Sequence, residues 1–306
     1  MSTAFIFPGQ GAQTAGMGKD FYESFEVSKE VFDRASELLN LDMRALCFEK
    51  NDRLDITEYT QAALLTTSVA MLRVLEEKGI RPDVCAGLSL GEYCALVACK
   101  IMSFEDALKT VRQRGIFMQE AVPAGVGAMC AVIGLDNAVI KELCDSVEEV
   151  FVANYNCPGQ TVISGKKEAV ETASEKLKEA GAKRCMMLNV SGPFHSPLLS
   201  GAGEKLYEVL KDARLEETFD IPYITNVTAE YVTDTKNIRE LLKNQVSSSV
   251  MWQQSMEKML ENGVDTFVEI GPGKTLAGFM KRIKKDVRMI NVSTVEDIEK
   301  AVEMLG

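Results

Sequence analysis

The stretch Ala86–Ala98, AGLSLGEYCALVA, sets a short apolar run against a helix of small residues, with Ser89 held between Gly87 and Gly91. A strand that passes into a helix within so few residues sends the chain back across a sheet face. That favours parallel strands joined by helical crossovers. The G-x-S-x-G turn is so sharp that a Cβ on either flanking residue would collide with the strand or helix beside it, so glycine is wanted at both places. A serine there sits in strained backbone with its hydroxyl exposed. The helix aims its free N–H groups and positive dipole end at the same spot, with the N–H of Leu90 as one donor to a developing oxyanion. A plain tight turn gives the same pattern, and the pattern alone does not separate the two.

The rest of the chain supports an α/β class. Thr3–Phe7 reads as a buried strand stopped by Pro8-Gly9, and VCAGL as a second leading to Ser89. Helical spacing runs from about Phe21 to Leu39, through TQAALLTTSVAMLRVLEEKG, and through SFEDALKTVRQRGIFMQEAV, where Ser103 and Asp106 fit a capping box. Near Pro123 the texture changes to strand, helix, strand, strand, helix, strand, the ferredoxin-like order. Beyond SGPFHSPLL a helix is expected at about 197–213, then strands at IPYITNV, DTFVEI and RMINV. At 306 residues the chain exceeds the size of one ordinary core. The expected division is a main domain of 1–122 and 192–306, with a parallel sheet covered on both faces, and a ferredoxin-like subdomain of 123–191 inserted in it.

A net charge of −11 argues against nucleic acid as a partner, and requires any acidic partner to find a local basic patch. The eight cysteines contain no CxxC pair, and one histidine cannot make His-rich zinc spacing, so no metal is expected. Reduced thiols, no basic leader and no apolar run near ~20 residues together predict a cytoplasmic protein without a membrane span.

His195 is the only imidazole, in the Gly/Pro-punctuated loop SGPFHSP where the insert returns to the main domain. Such junctions form clefts. If Ser89 needs a base near neutral pH, His195 is the ordinary candidate. A satisfied core or surface histidine is the alternative, as a helix-surface charge is for Arg114 and core packing for Phe194.

Seven segments in order give the chain a recognisable character: FIFPGQGAQTAGMG, GLSLGEYCALVA, VRQRGIFMQEAVP, ANYNCPGQTVISG, GPFHSPLL, NQVSSSVMW and FVEIGPGKTL. Over essentially its whole length the sequence resembles the malonyl-CoA:acyl-carrier-protein transacylases of bacterial fatty-acid synthesis. More distantly it resembles the acyltransferase domains of polyketide synthases. The resemblance implies an α/β-hydrolase-like parallel-sheet core with the ferredoxin-like insert. It implies Ser89 as acyl-accepting nucleophile, His195 as general base, and Gln10 and Leu90 as backbone oxyanion donors. Arg114 would pair with the malonyl carboxylate, Gln245 would orient the imidazole through its main-chain carbonyl, and Phe194 would crowd a 2-methyl substituent. Malonyl-CoA and holo-acyl carrier protein are the implied substrates, with no cofactor, and a monomer is the family expectation. Stand-alone length and cytoplasmic character favour fatty acids over polyketides. The chain departs from the family at Leu88, where many members have histidine.

The chemistry expected is a two-step transfer through malonyl-Ser89. A carbonyl rather than an acid behind His195 suits a pocket that must also hold a carboxylate, since a second anion would repel it. The rival reading, a serine thioesterase or esterase, wants an acid for the histidine, and none flanks its motif. GQGAQT after the first strand lacks the third glycine of a dinucleotide site. GPGKT lacks Walker spacing and reads as a strand-to-helix turn. KRIKK (Lys281–Lys285) and Lys166-Lys167 are basic runs that fit either a solvated face or a patch for an acidic carrier or CoA phosphates.

Overall fold

A computed structural model describes residues 2–123, 125–190 and 192–306. Its strands are β1 (Thr3–Phe7), β2 (Val84–Gly87), β3 (Gly127–Ile133), β4 (Val150–Cys157), β5 (Gln160–Lys166), β6 (Arg184–Met187), β7 (Tyr223–Ile224), β8 (Tyr231–Val232), β9 (Thr266–Ile270) and β10 (Arg288–Val292). They form a six-stranded sheet in the order β10-β9-β1-β2-β7-β8 and a four-stranded sheet in the order β4-β5-β3-β6.

In the larger sheet β10, β9, β1, β2 and β7 pair in parallel, and β8 closes one edge as an antiparallel partner of β7. Burial follows the period of two that a pleated strand imposes. Phe5 and Phe7 enter one apolar cluster, with Cys85, Tyr223, Val268 and Ile290. Ala4 and Ile6 enter another on the opposite face, with Val84, Ala86, Ile224 and Phe267. Both faces are therefore covered, as the near-continuous apolar strands require.

The smaller sheet is antiparallel throughout. Its strand order, with the first and third strands central, is the ferredoxin-like one expected from the sequence. One face packs helices Asn137–Asp145 and Lys167–Glu179 through Cys130, Val132, Ile163, Val170 and Leu177. The other face contributes Met129, Ala131 and Val162 to the main core. A backbone pairing between Ala153 and Val250, with Val250 N–H donating over 2.8 Å and Tyr155 N–H donating back to Val250 O over 2.9 Å, ties β4 to the larger layer.

Several local expectations change. The helix expected from Phe21 to Leu39 is two helices, Lys19–Ser24 and Glu26–Leu39, because Phe25 between them is extended (φ −132°, ψ 123°). A short helix at Met43–Phe48, capped by the Asp42 carboxylate, was not expected. IPYITNV yields only the two residues of β7. At Ser103 half of the capping box forms: its Oγ accepts from Asp106 N–H, while the Asp106 carboxylate accepts from Arg214 N–H instead. All eight cysteines are free. Among the described residues no helix is long and apolar enough to cross a membrane.

Candidate active site

Between β2 and the helix Gly91–Ala98 the chain turns as the glycine pattern requires. A Cβ on Gly87 would lie 1.8 Å from the Gly91 carbonyl carbon, and one on Gly91 would lie 2.2 Å from the Phe7 carbonyl oxygen. Ser89 takes a left-handed conformation (φ 53°) that disfavours a side chain and is held there by tertiary bonds. Asn226 supplies two of them: its Oδ1 accepts from Ser89 N–H over 2.6 Å, and its Nδ2 donates to Gly87 O over 2.7 Å.

His195 arrives from the loop after the small sheet, also with positive φ (57°). Its Nε2 lies 2.7 Å from Ser89 Oγ and its Nδ1 lies 2.8 Å from the main-chain oxygen of Gln245. A carbonyl can only accept, so Nδ1 carries the ring proton and Nε2 is left to accept from the serine hydroxyl. Burial, then repulsion from the Arg114 guanidinium, pushes the imidazole down to about 4, against the pull of the Gln245 carbonyl. The ring is neutral at pH 7, the state a proton acceptor needs.

Arg114 is 1% exposed on the helix Phe104–Glu120. Its Nη2 donates to Ser89 Oγ over 3.1 Å and to Gln245 Oε1 over 2.9 Å, and its Nη1 donates to Gln61 Oε1 over 2.8 Å. The guanidinium carbon sits 5.8 Å from the Tyr93 ring centroid. Burial lowers its pKa from a value so high that the group stays cationic. The helix-surface alternative is thereby set aside. Arg114 Nε has no partner among the described residues.

These groups face a cleft of about 220 Å³ between the two sheets. Gln10, Leu90, Met118 and Phe194 line it from the main layer, and Asn154, Val162 and Leu188 from the smaller one. The β1 loop comes close because Gly9 has no side chain: a Cβ there would meet Leu88 O at 2.4 Å. Neither Gln10 N–H nor Leu90 N–H is engaged among the described residues, so both remain available to a ligand oxygen. Phe194 is buried, lining the cleft on one side and packing in the core on the other. Leu88, in place of the family's frequent histidine, packs on the apolar cluster across the sheet. GPGKT is the turn from β9 into the helix Thr275–Ile283, whose Leu276 and Ala277 N–H groups donate to the Glu269 carboxylate.

Three participants escaped the sequence reading. Gln61 lies buried in the long helix Thr57–Glu77, and a lone glutamine among its apolar residues was the available signal. Asn226 lay inside the expected strand IPYITNV, of which only Tyr223–Ile224 is strand, and nothing in its spacing marked it. Glu92 stood inside the serine motif itself. The expectation of a site free of a second acid needs correcting. Glu92, three residues past Ser89, folds back beneath the turn by helix spacing and is fully buried. Its Oε2 accepts from Gln245 Nε2 over 2.7 Å and from Asn226 N–H over 3.2 Å. Burial raises its pKa to about 7, opposed by those bonds and by Arg114. It does not touch the imidazole, which keeps its neutral carbonyl.

A parallel α/β core with a serine hydroxyl at a strand-to-helix turn, an imidazole on a carbonyl, and free backbone donors outline a serine acyl-transfer site. The chain belongs to the acyl transferase domain family, whose pattern matches residues 4–302. It is 50% identical over 307 aligned residues to the malonyl CoA-acyl carrier protein transacylase of Bacillus subtilis, covering 99% of this chain and 96% of that one. The crystal structure of malonyl CoA-acyl carrier protein transacylase from Clostridium perfringens superposes with a TM-score of 0.96 at 45% identity, over 100% of this chain and 97% of the other. A type II PKS acyl-carrier protein in complex with its malonyl-transacylase gives a further neighbour, with TM-score 0.96 and 41% identity over 99% and 100% of the two chains.

Proposed function

We propose that this acyltransferase moves the malonyl group of malonyl-CoA to the phosphopantetheine thiol of acyl carrier protein through a malonyl ester on Ser89. The observation that carries the reading is the hydrogen-bonded run from Ser89 Oγ through His195 to the Gln245 carbonyl, with the Arg114 guanidinium on the same hydroxyl. Residues 123–191 form the subdomain that roofs the cleft over the 1–122 and 192–306 core.

In the first step Ser89 Oγ attacks the thioester carbonyl as its proton passes to His195 Nε2. The tetrahedral oxyanion is received by the unengaged N–H groups of Gln10 and Leu90. His195 returns the proton to the departing CoA thiolate. In the second step the carrier thiol loses its proton to the same nitrogen and attacks malonyl-Ser89, and Ser89 Oγ leaves with that proton. Arg114 meets the distal carboxylate. Both protons of its Nη2 are engaged, on Ser89 Oγ and Gln245 Oε1, so a two-pronged grip there exchanges the Ser89 contact for the carboxylate. Acylation removes the Ser89 proton and hydroxyl character at the same moment.

The hydrolase alternative draws no support from the site, since among the described residues no carboxylate bonds to the His195 ring. Mass spectrometry of intact protein after malonyl-CoA, and separately after acetyl-CoA, tests the proposal. A malonyl adduct mapping to the Ser89 peptide, discharged by holo-carrier protein, is the expected result. Release of free malonate at the same rate without carrier, or an adduct that survives Ser89→Ala, would overturn it.

A further inference from the structure

The buried carboxyl of Glu92 has no part in the transfer as written, yet the groups that do have a part converge on it. Gln245 Nε2 donates to Glu92 Oε2 and also to Ser89 O, over 2.9 Å. With its amide so held, Gln245 turns Oε1 toward Arg114 and its main-chain oxygen toward His195. On the other side Asn226 N–H donates to the same Glu92 oxygen, and the Asn226 amide grips the backbone on both sides of the serine turn. One oxygen atom thus joins the segment that orients the imidazole and guanidinium to the segment that fixes the hydroxyl. These segments lie 153 and 134 positions from Glu92 in the chain, so no local structure would bring them into register.

We propose that Glu92 is a positioning residue of the transfer: its Oε2 sets the spacing between the Gln245 and Asn226 segments, and through them the alignment of Ser89 Oγ, His195 and Arg114. The proposal rests on the reading of Ser89 and His195 as nucleophile and base. It assigns the task to an acceptor oxygen at a given reach, and charge is incidental to it. The second oxygen, Oε1, makes no hydrogen bond at ordinary length, and the Thr225 hydroxyl beside the carboxyl is likewise unengaged at that length, so an amide nitrogen placed there breaks no bond. Glu92→Gln therefore keeps the acceptor and its reach. Glu92→Asp keeps a carboxylate and withdraws it by one methylene, and Glu92→Ala removes it. A misplacement near 1 Å costs up to about 10²-fold in a reaction that depends on aligned groups.

The test has two readouts on each full-length variant, with folding checked by circular dichroism. The first is the rate of malonyl-Ser89 formation per folded molecule, by quenched-flow mass spectrometry. The second is the His195 Nδ1–H resonance in histidine-labelled protein, which is unambiguous because the chain has one histidine. Glu92→Gln is expected to acylate near the wild-type rate and keep a sharp downfield ring proton. Glu92→Asp and Glu92→Ala are expected to lose roughly 10- to 100-fold in rate and to broaden that resonance. Should the alanine variant not fold, the aspartate variant decides. A folded Glu92→Asp with unaltered rate or unaltered resonance overturns the proposal, and so does a Glu92→Gln as impaired as Glu92→Asp. If the wild-type protein forms no malonyl ester, the functional reading fails, and the resonance alone still decides whether Glu92 positions the ring.

Discussion

At Arg114 the structure changes how selectivity is understood. The guanidinium is not waiting unpaired. Its two terminal nitrogens are held by Gln61, Gln245 and Ser89, with Nε alone unpaired among the described residues, so a substrate without a carboxylate leaves those contacts in place and gains nothing from the guanidinium. Charge-assisted bonds contribute about 1.5–3 kcal/mol each. Arg114→Ala should therefore lower the ratio of malonyl to acetyl transfer by on the order of 10²-fold, read from acylation rates with the two CoA esters. Equal losses with both esters would place Arg114 on the hydroxyl alone. Glu92 carries a pH signature of its own. Its folded pKa is raised from 4.5 to about 7, so the folded state binds the proton more tightly than the unfolded one. Stability from that proton is complete below pH 4.5 and is lost as pH rises through 7, by roughly 3 kcal/mol. Glu92→Gln cannot titrate, so urea melts should show it gaining on wild type from pH 4.5 to 8. A constant difference across that range would refute the buried titration.

Single elements explain both what the sequence showed and what it hid. The turn between β2 and its helix was legible because steric exclusion at Gly87 and Gly91 is local and leaves its mark in residue type. Gly91→Ala drives a Cβ into the Phe7 carbonyl of the neighbouring strand, so it should cost about 2–4 kcal/mol in a urea titration and slow acylation by displacing Ser89. A fully active, equally stable variant would mean the turn can shift freely. The strands β1 and β9 were legible for a similar reason, since unbroken apolar runs are what a doubly covered parallel strand demands. Strands of two residues, β7 and β8, carry no period at all. The break at Phe25 lies inside a continuous helical pattern and is made by tertiary packing. Among site residues, Ser89, His195, Gln10, Leu90, Arg114, Gln245 and Phe194 were marked by ordered motifs; the structure brings all but Gln245 to the lining of one cleft, and sets Gln245 behind it on His195 and Arg114. Gln61, Asn226 and Glu92 act only through distant partners, such as the Ser89–Asn226 bond across 137 positions, and spacing along the chain does not reveal such pairs.

The whole molecule places its reacting groups where a six-stranded and a four-stranded layer meet, so the cleft exists only while both layers stay docked. Its mouth also bears on how an acid-rich protein receives an acidic carrier. Thr275, Leu276 and Phe279 of one helix line the cleft, Lys281 and Arg282 stand exposed in its last turn, and Lys284 and Lys285 follow it, also exposed. Lys166 is less available, being paired with Glu149 at 2.6 Å. Reversing Lys281 and Lys285 to Glu should raise the KM for carrier protein several-fold at low salt, about 1 kcal/mol, and leave malonyl-Ser89 formation unchanged. An unaltered KM would remove this run from the docking face.

The left-handed geometry shared by Ser89 and His195 has a consequence for anyone who breeds hardier versions of this enzyme. Glycine is the residue such backbone prefers, by about 1–2 kcal/mol. At Ser89, whose small side chain leaves little void when removed, a selection that rewards heat tolerance alone therefore favours a glycine that would remove the proposed nucleophile, so rounds of directed evolution need an activity screen at every generation.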